Sequence, residues 1–67
     1  MERYFELGVY NTDKSDGSGV LGRYSSMNEA KEAINTFTKE PEQIFIIDEL
    51  EKQDDNSVRQ LAEWLYR

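Results

Sequence analysis

The run Ile44, Phe45, Ile46 and Ile47 is the longest unbroken apolar segment of this chain, and it constrains the fold more than any other feature. A short apolar run between polar residues is typical of a buried strand, and four apolar residues in a row indicate that both faces of that strand are covered. We therefore predict a central strand over residues 43–50. The cover for its second face is expected to come from the C-terminal segment or from another subunit.

Two further segments have the pattern of strands. Residues 3–11 alternate between two sets of side chains, which is the two-residue period of a strand. The set expected to face the core is Phe5, Leu7 and Val9. Residues 20–24 resume an extended pattern after a segment of turn-forming residues, 11–19, which predicts a long hairpin loop with a mobile tip.

Two capping boxes predict two helices. Ser26 and Ser57 each stand three residues before a Glu or a Gln, an arrangement in which the two side chains satisfy each other's backbone amides. The first helix is expected to end before Pro41, because the residue that precedes a proline is driven out of helical geometry. The second helix is expected over residues 58–66, and a helix of about ten residues is stable only when it docks.

The order of these elements predicts a small α+β domain. It reads strand, strand, helix, strand, helix, with a three-stranded sheet packed against one or two helices. The third strand is expected in the middle of the sheet or beside the first. One domain covers residues 1–67, since a chain of 67 residues has room for only one hydrophobic core.

Composition excludes several classes of function. The chain has neither cysteine nor histidine, so disulfides and the usual zinc sites are excluded, and we predict no metal, no cofactor and no enzymatic activity. Fourteen acidic residues against eight basic ones give a net charge of -6, which disfavours phosphate backbones and favours a basic partner. No apolar run is long enough to span a membrane. The absence of cysteine favours a cytoplasmic location.

Two groups of residues are candidates for partner binding. The acidic group lies between the third strand and the second predicted helix: Asp48, Glu49, Glu51, Asp54 and Asp55. The aromatic group consists of three tyrosines expected to share the sheet face opposite the core, together with an exposed residue near the C-terminus: Tyr4, Tyr10, Tyr24 and Tyr66.

These features favour a small acidic, non-enzymatic protein-binding module, such as an accessory or regulatory protein of a bacterium or phage. Its partner is expected to be a basic protein surface or a second copy of the chain. Two alternatives remain open. One is single-stranded nucleic-acid binding through Tyr4, Tyr10 and Tyr24. The other is an acidic mimic of DNA that inhibits a nucleic-acid enzyme.

Overall fold

The fold is a four-stranded antiparallel sheet with one short helix, and the computed structural model describes it over residues 2–11, 19–38 and 40–66. In chain order the elements are β1 (Glu2–Asn11), β2 (Gly19–Tyr24), α1 (Met27–Ile34), β3 (Gln43–Lys52) and β4 (Val58–Tyr66). The strand order is β2-β1-β3-β4. The predicted three-stranded sheet with one or two helices is therefore wrong, because the C-terminal segment is a fourth strand.

β1 and β3 form the centre of the sheet, and the central position of β3 agrees with its apolar run. β3 lies beside β1 along its whole length, and Leu7 stands directly opposite Ile47. Both side chains are fully buried, and with Ala30 and Phe45 they form the hydrophobic core. The prediction that alternate residues of β1 face the core is confirmed, since Phe5 and Val9 pack against this cluster.

α1 begins where the first capping box predicts. Ser26 is the N-cap, and its hydroxyl accepts a hydrogen bond from the Glu29 amide at 3.2 Å. The Glu29 carboxylate accepts in turn from the hydroxyls of Ser25 and Ser26. These bonds, with that of Ser25 the largest cause, hold the pKa of Glu29 below its usual value. Ala30 is the buried residue of the helix and fixes α1 against the core.

α1 ends at Ile34, well before Pro41, so the expected length of the first helix is wrong. After Ile34 the amides of residues 35–37 bond three residues back, which is the tighter geometry of a helix end. Residues 35–38 are Asn, Thr, Phe and Thr, all weak helix formers. Leaving the helix lets the Phe37 ring tilt against the Phe45 ring, with 6.4 Å between centroids.

Residues 58–66 form β4 rather than the second predicted helix. Ser57 belongs to a five-residue turn instead of a helix cap, since Gln53 N–H donates to its carbonyl at 2.8 Å. Asn56 takes a positive φ of 70° in this turn, a conformation that asparagine tolerates. A helix of this length has little stability alone, whereas a strand pairs with the free backbone edge of β3 over residues 45–52, with one register shift. Pairing with β3 therefore decides the structure.

The predicted hairpin loop joins β1 to β2. Its central residues, 12–18, lie outside the described residues, so its expected mobility stays a prediction. No helix in the described ranges is long and apolar enough to cross a membrane.

Candidate binding face of the sheet

α1 covers one face of the sheet over β1 and β2, and the other face has no described element over it. α1 packs on β1 and β2 from the side to which Leu7 and Ile47 point. Residues paired directly across neighbouring strands point to the same side, so the pairings define the opposite side as well. We call it the open face, and its members are Glu2, Tyr4, Glu6, Gly8, Tyr10, Val20, Arg23, Ile44, Ile46, Asp48, Leu50, Lys52, Val58, Gln60, Glu63 and Leu65.

A row of three carboxylates crosses the middle of the open face. Glu6 of β1 is opposite Asp48 of β3, which is opposite Glu63 of β4. We call these residues the carboxylate row. Directly opposed residues on neighbouring strands have Cβ atoms about 5 Å apart, and like charges in such pairs are destabilising. The row therefore concentrates negative charge along one line of the sheet.

One cation stands at the end of this row. Arg23 of β2 is paired with Glu6, and its Nε donates to the Glu6 carboxylate at 3.1 Å. The same guanidinium lies over the Tyr4 ring, with 5.5 Å from its carbon to the ring centroid. Arg23 thus compensates Glu6, the carboxylate farthest from β4. Among the described residues, no ion pair joins a cation to the other two members of the row.

Asp48 is the least satisfied member of the row. Its Oδ1 atom is buried and has no hydrogen-bond partner among the described residues. Burial, followed by a hydrogen bond and charge repulsion from Glu63 and repulsion from Glu6, raises the pKa of Asp48 from 3.8 to about 6. A carboxyl group with this pKa titrates close to neutral pH. When Asp48 is ionised, its buried oxygen lacks a hydrogen-bond donor, which a cationic side chain could supply.

Glu51, three residues further along β3, is by contrast a carboxylate whose two oxygens both have hydrogen-bond or ion-pair partners. It is 8% exposed on the α1 side, and its Oε1 accepts from Gln53 and from Arg59, each at 2.9 Å. Arg3 lies 3.6 Å from its other oxygen. The Gln53 bond, and then the charges of Arg59 and Arg3, hold the pKa of Glu51 below its usual value. Glu51 is therefore part of the structure's own ionic network.

Apolar side chains flank the carboxylate row on the open face. Ile46 and Leu65 are paired on one side of it, and Tyr4 and Leu50 are paired on the other. Leu65 remains 51% exposed, and Tyr10 at the far end of β1 remains 48% exposed. The open face thus presents apolar surface around a partly buried acidic centre, which is suited to a partner that combines apolar groups with a cation.

The structure separates the predicted aromatic group. Tyr4 and Tyr10 lie on the open face, six positions apart on β1. Tyr24 is paired with Phe5 and packs against the core, so the expectation that the three tyrosines share one face is wrong for Tyr24. The bulge in the β1–β2 pairing accompanies this change of side. Tyr66 is half-buried beside Phe45 on the α1 side.

The structure also divides the predicted acidic group. Asp48 lies on the open face, while Glu49 and Glu51 point to the α1 side, where Arg3 lies 3.5 Å from Glu49. Two further members, Asp54 and Asp55, lie in the turn before β4. Alternation of side chains along β3 is the reason, because neighbours on a strand point to opposite faces.

The two aspartates of the turn, Asp54 and Asp55, contact or lie beside residues of the β3–β4 hairpin itself. Asp55 Oδ1 accepts from the Ser57 amide at 3.0 Å and from the Ser57 hydroxyl at 2.6 Å, and the hydroxyl bond is the main reason that its pKa is lowered. Asp54 lines an open depression of about 300 Å³ together with Glu2, Lys52 and Gln53. These residues shape the end of the β3–β4 hairpin.

Sequence reasoning missed two members of the carboxylate row and the exposed Leu65. Glu6 already stood on the polar side of the alternation in β1, so that signal was present. Glu63 and Leu65 could be found only once residues 58–66 are recognised as a strand paired with β3.

No group of three or more His, Cys, Asp or Glu side chains in residues 2–11, 19–38 and 40–66 is placed to hold a metal ion. Comparison with models of protein families, with curated proteins and with solved structures gives no match to this chain.

Proposed function

We propose that this chain is a non-enzymatic protein-binding module whose open face binds a basic amphipathic helix of another protein. The observation that carries the proposal is the buried, unpartnered Asp48 oxygen in the middle of an uncovered and partly apolar sheet face. A sheet face of this kind is normally buried against another layer, and helices are the usual cover for a sheet.

The chemistry of the open face favours a cation at the centre of the contact. An arginine or lysine side chain placed between Asp48 and Glu63 would supply the hydrogen bonds that Asp48 lacks. The neighbouring apolar residues, Ile46 and Leu65 on one side and Leu50 on the other, would receive the apolar face of the helix. A cation flanked by leucine-like side chains is therefore the complementary partner.

A second copy of this chain is a poorer occupant. A face-to-face dimer would bring the carboxylate row of one subunit towards that of the other, and each chain carries a net charge of -6. Like charges brought together at an interface oppose association. Nucleic acid is disfavoured for the same reason, and Tyr24 lies on the other side of the sheet from Tyr4 and Tyr10.

The test uses synthetic helical peptides with defined chemistry. One carries an apolar face with a single arginine at its centre, and a second carries glutamine at that central position. Isothermal titration calorimetry with the full chain at pH 7 is expected to show tighter binding of the arginine peptide by about tenfold or more, since a partly buried charged hydrogen bond is worth at least about 1.4 kcal/mol.

Two variants of the chain localise the effect. Asp48→Asn is expected to abolish the preference for arginine over glutamine. Glu32→Gln removes the same charge from the exposed surface of α1 and is expected to leave the preference unchanged. Equal affinity of the unmodified chain for the two peptides, or no binding of either, would refute the proposal.

A further inference from the structure

The carboxylate row contains more negative charge than its surroundings compensate. Three acidic side chains stand in direct register on β1, β3 and β4, while one guanidinium, that of Arg23, bonds to Glu6 at the end of the row. Asp48 is in the middle, between two other carboxylates and with one oxygen buried. Full ionisation of such a row is unfavourable, because opposed like charges on neighbouring strands repel each other.

The groups that face Asp48 can be named on each neighbouring strand. Glu6 faces it from β1 and Glu63 from β4, and Arg23 of β2 reaches the row through Glu6. The diagonal neighbours carry no carboxylate and no cation; they are Tyr4, Gly8, Gln60 and Leu65. α1 packs on the other side of the sheet.

We propose that binding of a cationic partner to the open face displaces a proton held between Asp48 and Glu63, so that partner capture is switched on as pH rises through the weakly acidic range. The proposal rests on the proposed function and adds its regulation. In the free chain, the O–H of one carboxyl donates to the other carboxylate. The incoming cation takes the place of that proton, which leaves to the solvent.

The raised pKa of Asp48, about 6, sets the range over which the switch acts. At about pH 5 the Asp48 carboxyl group holds its proton in roughly nine chains out of ten, whereas at about pH 7 it has lost the proton in a similar share. A partner that binds only the ionised pair therefore binds about tenfold more weakly at pH 5 than at pH 7. Near pH 6, formation of each complex releases about half a proton.

The experiment is calorimetric titration of the full chain with the arginine peptide at pH 5, 6 and 7. Each titration is repeated in two buffers of different ionisation enthalpy, because the difference in heat reports the number of protons released. We expect affinity to rise about tenfold from pH 5 to pH 7, and proton release for each complex to fall from about 0.9 at pH 5 through about 0.5 at pH 6 to about 0.1 at pH 7. Asp48→Asn is expected to remove both effects. Glu63→Gln is expected to weaken them without removing them, because burial remains the largest cause of the raised pKa of Asp48. Glu32→Gln is expected to retain them.

The outcomes distinguish this inference from the function on which it rests. Tight binding of the arginine peptide with the same affinity at all three pH values and no proton release would overturn the inference alone. Proton release that persists in Asp48→Asn would overturn it as well, since the proton would come from another group. Absence of binding at every pH would overturn the proposed function together with the inference.

Discussion

Replacement of Asp48 by asparagine is expected to stabilise the fold at neutral pH, although it removes the central group of the candidate site. The folded state raises the pKa of Asp48 from 3.8 to about 6. At about 1.36 kcal/mol for each pKa unit, that shift corresponds to an upper bound of about 3 kcal/mol. Asp48 is partly accessible to solvent, so screening reduces the expected cost of the ionised group to about 1 kcal/mol.

The sign of the pH dependence follows from the direction of the shift. Because the pKa of Asp48 is higher in the folded state than in the unfolded state, the folded chain holds the proton between about pH 4 and pH 6. This group therefore makes the free energy of unfolding fall as pH rises through that window. Asp48→Asn lacks the titrating carboxyl, and its advantage over the unmodified chain should grow from about pH 4 to about pH 7.

Thermal unfolding followed by circular dichroism at pH 4, 5.5 and 7 measures this difference. A gain of about 1 kcal/mol in a domain of this size raises Tm by roughly 4–8 °C. Glu51→Gln is the matched control, because it makes the same acid-to-amide change on the same strand. Glu51 has a lowered pKa and three partners, so its replacement should lower Tm at pH 7 and have less effect in acid. The reasoning is refuted if Asp48→Asn lowers Tm at pH 7, or if its effect is the same at all three pH values.

Two further predictions concern local structure. Ser26→Ala should lower the free energy of unfolding by about 1 kcal/mol, measured by urea denaturation, because it removes the side-chain acceptor for the Glu29 amide; an unchanged midpoint would contradict the assigned N-cap. Asn56→Ala should destabilise the β3–β4 hairpin by about 1 kcal/mol because φ is 70° there, whereas Asn56→Gly should match or exceed the unmodified chain in the same assay; equal loss in both variants would argue against this turn geometry.

Much of the sheet could be predicted from the sequence because single segments carried unambiguous signals. The alternation in β1 identified Phe5, Leu7 and Val9 as core residues, and the structure packs all three in or against the core. The capping box at Ser26 located the start of α1, since its two side chains satisfy amides within one turn of chain. These features depend on neighbours in sequence, which is why sequence alone sufficed.

The C-terminal segment could not be predicted correctly because it fits two periods. Val58, Leu61, Ala62 and Leu65 form a helical stripe, while Ala62, Trp64 and Tyr66 alternate with Glu63 and Leu65 as in a strand. What decided between them was the free edge of β3, which lies outside the segment and so does not enter its own periodicity. The four turn-forming residues 54–57 were the local sign of a hairpin.

The contrast between signals from sequence neighbours and pairings between strands also explains which part of the candidate site could be predicted. The sequence predicts that Asp48 belongs to an acidic surface that continues into Glu49 and Glu51. In a strand these neighbours point to opposite faces, and Arg3 pairs with both of the latter. The functional partners proposed for Asp48 come instead from other strands, as Glu6 and Glu63, and they become visible only with the register of the sheet.

The open face, and not the α1 side, is expected to receive the basic partner. Chemical-shift mapping of the isotope-labelled chain during titration with the arginine peptide distinguishes the two sides. The largest perturbations are expected on the open face, at the side chains of Ile46, Leu50 and Leu65 and around Asp48. Perturbations concentrated on α1 and around Trp64, with the open-face side chains unchanged, would contradict it.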